Sequence, residues 1–316
     1  MIGVKKEMSM LIVFQQMLVI FILMAVGFYL YRTGKISDQA SSDLSGLITK
    51  VCNPALLICS AFEKDNPATN RDLLITGVMA VVYFVILMIL GVVYAKVLKV
   101  GKKDVKFYQM MSVYGNIGFI GIPLISAVMG TGALIYLSIF LLVFNILIYT
   151  HGMQTLSSGE PGSASGIQWK KMINPGTVAG VLTLVLFVTK APVPAVIQDS
   201  LGYMGRCTTF LSMVVLGMSL ARMPLKELFG DMKMYVFAAL RFLGVPVLVA
   251  ILLKPVMHNE MLLGVIVLTL ALPVANMPLM LAKQNCEDTS TLARGILLTT
   301  LLSLITVTLA SGALFG

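Results

Sequence analysis

The chain has 316 residues, 58% of them hydrophobic and only 12% charged, with a formal net charge of +9. Soluble domains carry about 25% charged residues, so a water-soluble fold is excluded. The basic residues gather in short loops, so the positive charge reads as topogenic rather than as a nucleic-acid surface.

Lys5 and Lys6 precede an apolar run from Met8 to Leu30. The run is too long for the core of a signal peptide and no small-residue cleavage site follows it, so it is predicted as the first transmembrane helix. Further apolar blocks follow at the length that a hydrocarbon core about 30 Å thick requires of a helix. The predicted spans are 10–31, 43–62, 73–97, 105–128, 132–152, 172–190, 201–221, 234–254, 260–283 and 292–315. Asp43 and Lys50 interrupt the second and Arg206 the seventh. The fold class is an all-α polytopic membrane protein of ten transmembrane helices.

Fourteen of the 23 basic residues fall in or beside the loops after odd-numbered spans, among them Lys99, Lys102, Lys103, Lys170 and Lys171. Seven fall on the other side. The positive-inside rule then places both termini outside the cytoplasm, in a multi-pass protein of the cell membrane. The stretch "QTLSSGEPGSASGIQ" (154–168) is Ser/Gly-rich and reads as a flexible cytoplasmic linker. It divides the chain into a first five-helix unit (1–152), the linker (153–171) and a second unit (172–316). An odd number of spans reverses the second half, so two related halves form an inverted repeat, a common transporter architecture. Pro278 follows Pro123 by 155 residues, and the same offset carries span one onto span six and span five onto span ten.

Spans four and nine are the ones whose sequence spoils a helix. The fourth contains "YGNIGFIGIPLISAVMG" (114–130) and the ninth "ALPVANMPLMLAK" (271–283). A proline removes a backbone donor and clashes with the preceding turn. In lipid the freed carbonyl cannot turn to water, so Pro123, Pro273 and Pro278 are expected in the protein interior or beside an aqueous cavity. Gly115, Gly118 and Gly121 are expected to admit a second backbone. Interrupted helices expose N-terminal amides that favour anions, and Asn116 and Asn276 add neutral donors and acceptors. Either break alone reads as a kink or a packing notch; two at corresponding positions favour a site. The glycine spacing is not a dinucleotide fingerprint.

At these residues the chain resembles the auxin efflux carrier family, which includes the plant PIN auxin transporters and bacterial organic-acid permeases. The resemblance rests on "GNIGFIGIPL" (115–124) and "ALPVANMPLMLAKQN" (271–285), and more loosely on "NPALLICSAF" (53–62) and "VVLGMSLA" (214–221). It implies two inverted five-helix repeats with broken, crossing helices four and nine, as in bile-acid symporters and sodium–proton antiporters. It also implies a scaffold of spans one, two, six and seven, elevator-like motion of the rest, and a homodimer. The family's substrate-contacting asparagine falls at Asn116, with Pro123 and Pro278 at the crossing. Asn276 and Met277 stand where the family has a less polar, variable pair. The central loop is far shorter than in the long-loop plant carriers.

Two cations lie within predicted spans. Arg241 is a functional candidate as an intramembrane charge, with snorkelling to the interface as the plain alternative, since it lies near the span's start. Lys50 is the second candidate charge partner, with Asp43 on the same helical face. Carboxylates are missing from the middles of spans three, four, five, eight, nine and ten. A coupling ion, sodium or proton, would therefore have to use backbone carbonyls, hydroxyls such as Ser112 and Thr269, or the substrate's own charge. Cys52, Cys59, Cys207 and Cys286 form no CxxC pair, and with two histidines no metal site and no cofactor are expected.

The sequence thus predicts a secondary transporter of small organic anions, carboxylates such as malate or malonate and auxin-like acids. Its partners are that substrate and membrane lipid, not nucleic acid. The expected binding residues are Asn116, Asn276, Gly115, Gly121, Pro123, Pro273, Pro278 and Met277, with Arg241 and Lys50 as charge partners. The alternatives are a ligand-binding membrane receptor or scaffold without transport, and an anion channel. No enzymatic cluster is visible in the spans.

Overall fold

The structure, a computed structural model, describes residues 10–63, 68–157, 169–223, 231–284 and 288–315. These residues are helical throughout, without a β-strand; a single antiparallel bridge joins Gly115 and Val274. Seven helices are long and apolar enough to cross a bilayer. They are α1 (Met10–Arg32), α2 (Asp38–Phe62), α3 (Asn70–Val97), α6 (Thr131–Ser157), α8 (Ala195–Ala221), α9 (Met232–Leu253) and α12 (Ser290–Phe315). Three shorter apolar helices accompany them: α5 (Ile117–Met129), α7 (Pro175–Thr189) and α10 (Glu260–Ala271). Helices α4 (Val105–Val113) and α11 (Met277–Gln284) complete the set. The predicted fourth span is thus α4 and α5 in succession, and the ninth is α10 and α11. Most of the Ser/Gly-rich stretch lies outside the described residues; α6 continues into its start, to Ser157.

Local sequence explains the helix ends. Ser37 caps α2 by accepting from Ala40 N at 3.2 Å, so the helix begins before the apolar block does. Thr69 and Asp72 form a reciprocal capping box at the start of α3. Three helices open into a π turn directly ahead of a proline: Ile48–Cys52 before Pro54, Ile117–Gly121 before Pro123, and Leu240–Gly244 before Pro246. The residue four before each proline lies inside its π turn. Widening the helix by one residue moves that carbonyl away from the proline ring and absorbs the missing donor without ending the helix.

Helices α4, α5, α6 and α10 form the interior; every residue of α10 from Leu262 to Ala271 is buried. The apolar faces of α1, α3, α7 and α9 are exposed, with Leu74, Val78, Val85 and Ile89 on α3 as an example. An outer surface of this kind suits hydrocarbon, not water. The chain is a multi-pass membrane protein. Helices α1 and α8 meet through reciprocal notches: a Cβ at Gly27 would collide with the Val214 carbonyl, and one at Gly217 with the Met24 carbonyl. Small residues let the two backbones touch where no hydrophobic effect draws helices together.

Candidate functional site

The two interrupted helices meet at their breaks. Between α4 and α5 the chain is non-helical from 114 to 116, and between α10 and α11 from 272 to 276. The two stretches run antiparallel. Asn116 N donates to Pro273 O at 2.7 Å, and Ala275 N donates to Tyr114 O at 2.9 Å. Val274 N donates to the Thr299 hydroxyl of α12 at 3.1 Å, while that hydroxyl donates to Gly295 O. Each of these backbone groups would cost about 1–3 kcal/mol if left unpaired in an apolar interior. The ladder and Thr299 are what allow both breaks to be buried.

The four half-helix ends are treated differently. Arg241 comes from the π turn of α9 and is 0% exposed. Its Nε donates to Ser112 O at 2.6 Å and its Nη1 to Leu270 O at 2.8 Å. One guanidinium therefore binds carbonyls at the C-terminal ends of both α4 and α10, where the helix dipoles leave partial negative charge. Its carbon lies 4.9 Å over the Phe242 ring, and no carboxylate pairs with it among the described residues. The snorkelling alternative is overturned, because the side chain turns inward instead of reaching an interface.

At the opposite ends, asparagines stand ahead of α5 and α11. Asn116, 2% exposed, accepts from Phe119 N at 3.1 Å through Oδ1 and so caps α5. Its Nδ2 is buried and makes no hydrogen bond. Asn276 is half-buried; its backbone carbonyl accepts from Met280 N and its Oδ1 is buried without a partner. A third amide joins them from α2: Asn53 Nδ2 donates to Gly118 O at 3.1 Å, and Asn53 Oδ1 is unpartnered. The sequence reading did not single out Asn53 as a ligand. The signal available was its place directly ahead of Pro54.

Unpaired amide groups thus stand ahead of α5 and α11, and one buried cation binds the C-terminal ends of α4 and α10. The family model described as "Membrane transport protein" matches residues 12–311. The chain belongs to this family. It is the family of the auxin efflux carriers to which the two proline-broken motifs pointed. Two archaeal relatives align along nearly their whole length. An uncharacterized transporter of Methanothermobacter thermautotrophicus is 23% identical over 297 residues, covering 94% of this chain and 97% of the relative. An uncharacterized transporter of Methanocaldococcus jannaschii is 23% identical over 300 residues, covering 92% and 96%.

Within this family member the remaining predicted residues are placed as follows. Pro123 and Pro278 are buried as the second residues of the regular α5 segment Ile122–Met129 and of α11, and Pro273 lends its carbonyl to the ladder. Met277 is half-buried at the start of α11. The glycines differ. A methyl at Gly115 would make ordinary contact with the Leu272 carbonyl at 3.6 Å, and one at Gly118 would meet only Asn53 Nδ2, at 3.9 Å. At Gly121 it would stand 2.8 Å from Leu272 Cδ1, so of the three positions only there must a neighbour move, and that neighbour is the tip of a leucine side chain. Lys50 is exposed on the π turn of α2, outside the ladder. Asp43 accepts from Gln39 at 3.0 Å and does not pair with Lys50. The Ser112 and Thr269 hydroxyls donate to Leu87 O and Val265 O.

Proposed function

We propose that the chain is a secondary transporter of small organic anions, carboxylates such as malate or malonate and auxin-like acids, working by elevator-type alternating access. In this reading the helices make ten spans in two inverted five-helix repeats, with α4–α5 and α10–α11 as the crossing pair. The protein sits in the cell membrane with both termini outside the cytoplasm, and assembles as a homodimer.

The observation that carries the reading is the Asn116 amide: a buried donor without a partner, on the cap of a half-helix whose N-terminal end favours negative charge. Asn276 offers an acceptor beside the same ladder. A small organic acid such as malate matches the donor with its carboxylate. A potential negative inside favours export of such an anion by about 2.3 kcal/mol per charge per 100 mV.

The test is counterflow in proteoliposomes loaded with unlabelled malate, with labelled malate outside. Asn116→Asp keeps the capping oxygen but puts a carboxylate oxygen where the free amide donor stood. Compared at equal amounts of inserted protein, it is expected to lower accumulation at least about tenfold, since an ionised carboxylate would meet an anion with an anion. Accumulation equal to wild type would sink the assignment of Asn116. Absence of wild-type accumulation with any dicarboxylate would remove the substrate class.

A further inference from the structure

A groove of about 460 Å³ runs between α2 and α7, away from the ladder. Its walls are two rows in steps of four: Lys50, Pro54 and Ile58 on α2, and the cap residue Asn174 followed by Val178 and Leu182 on α7. Residues four apart stack along one helix face, so the rows descend side by side over roughly 12 Å at 1.5 Å per residue. The polarity is graded. Lys50 and Asn174 stand at one end, and only apolar side chains line the other.

The polar end is also the basic end. Helix α7 begins there, capped by Asn174 Oδ1, which accepts from Thr177 N at 3.1 Å. The short helical turn Trp169–Met172 lies just ahead and carries exposed Lys170 and Lys171. Asn174 Nδ2 donates to Lys171 O at 3.3 Å and ties that turn to the groove. Val178 lies on the exposed apolar face of α7 with Val181, Val185 and Val188, so the groove opens sideways to hydrocarbon.

We propose that this groove holds one anionic phospholipid, with its phosphate against Lys50 and near Lys170 and Lys171, and an acyl chain along Pro54, Ile58, Val178 and Leu182. A dissolved anion would use the polar end but leave the apolar two-thirds empty; a zwitterionic lipid would fill the apolar part but add a cation beside the lysines. Basic residues beside anionic headgroups contribute about 1 kcal/mol each, which corresponds to about a fivefold preference per lysine.

Native mass spectrometry of the full chain, equilibrated with equal amounts of phosphatidylglycerol and phosphatidylcholine, tests this. Wild type is expected to retain phosphatidylglycerol preferentially. Lys50→Gln, at an exposed position, should lower that preference about fivefold, and Leu182→Trp, which fills the groove, should lower retention of the lipid itself. Lys254→Gln, at the far end of α9, should change neither. The proposal is overturned if wild type retains the two lipids equally, if Lys50→Gln keeps the wild-type preference, or if Leu182→Trp retains as much lipid as wild type. Displacement by inorganic phosphate with no response to Leu182→Trp would likewise replace the lipid with a simple anion.

Discussion

Replacing Arg241 with Met removes the guanidinium that binds Ser112 O and Leu270 O while keeping most of the side-chain volume. Two effects oppose each other. Methionine needs no hydration, so the desolvation cost of a buried cation is returned, and exchanges of buried charges for apolar residues are often neutral for that reason. Here, however, the partners are backbone carbonyls at two helix ends, which cannot move to water or be mutated away with the charge. Each carbonyl left unpaired costs about 1–3 kcal/mol. The carbonyl term is expected to win, with a net loss of about 2–4 kcal/mol. At about 2 °C per kcal/mol for a chain of this size, Arg241→Met should melt about 4–8 °C below wild type. Arg241→Lys keeps the charge but not the planar fork that reaches two acceptors at once, so it should fall between the two. The assay is thermal unfolding of the purified proteins in one detergent. An Arg241→Met protein that melts with wild type, or above it, would refute the reasoning: the cation would then be a burden on the crossing rather than its fastening.

Four further predictions concern the ladder and the close approaches around it. Thr299→Val leaves Val274 N–H unpaired and should cost about 1–3 kcal/mol in thermal unfolding, while Thr299→Ser, which keeps the hydroxyl, should cost less. Gly121→Ala should destabilise because Leu272 Cδ1 must move, and the added Leu272→Ala should recover part of that loss in a double-mutant cycle. Gly115→Ala should be milder than Gly121→Ala alone in the same measurement. Gly217→Val drives a side chain into the Met24 carbonyl and should abolish well-folded protein by size-exclusion profile, whereas Gly46→Ala, which meets nothing within 4 Å, should leave the profile unchanged.

Both breaks were legible in the sequence because Gly115 and Pro273 fall within them, and the 155-residue offset between Pro123 and Pro278 paired the two spans, although Pro123 itself sits in a π-widened helix past its break. The role of Arg241 was not legible. Counting residues from the start of an apolar block assumes a uniform helix with its end at the interface. The π turn before Pro246 breaks that assumption where the arginine sits, and its acceptors lie 129 and 29 residues away in sequence. Thr299 was hidden for a related reason. A threonine on a membrane helix ordinarily bonds its own preceding turn, as this one does to Gly295 O, and nothing local reports that it also receives Val274 N. Asn53 was quoted within a motif, but its contact with Gly118 depends on how α2 lies against α5.

The bridge between Gly115 and Val274 also bears on how the chain is made. Its two partners are about 160 residues apart, and synthesis proceeds at about 5–20 residues per second. For roughly 8–30 s after the first break has emerged, the Asn116 amide and the Tyr114 carbonyl have no ladder to join. The first half must wait in the membrane with those groups provisionally solvated, shielded by the insertion machinery or by water held around them. Premature termination before residue 275 leaves a fragment whose broken helix has nothing to close against.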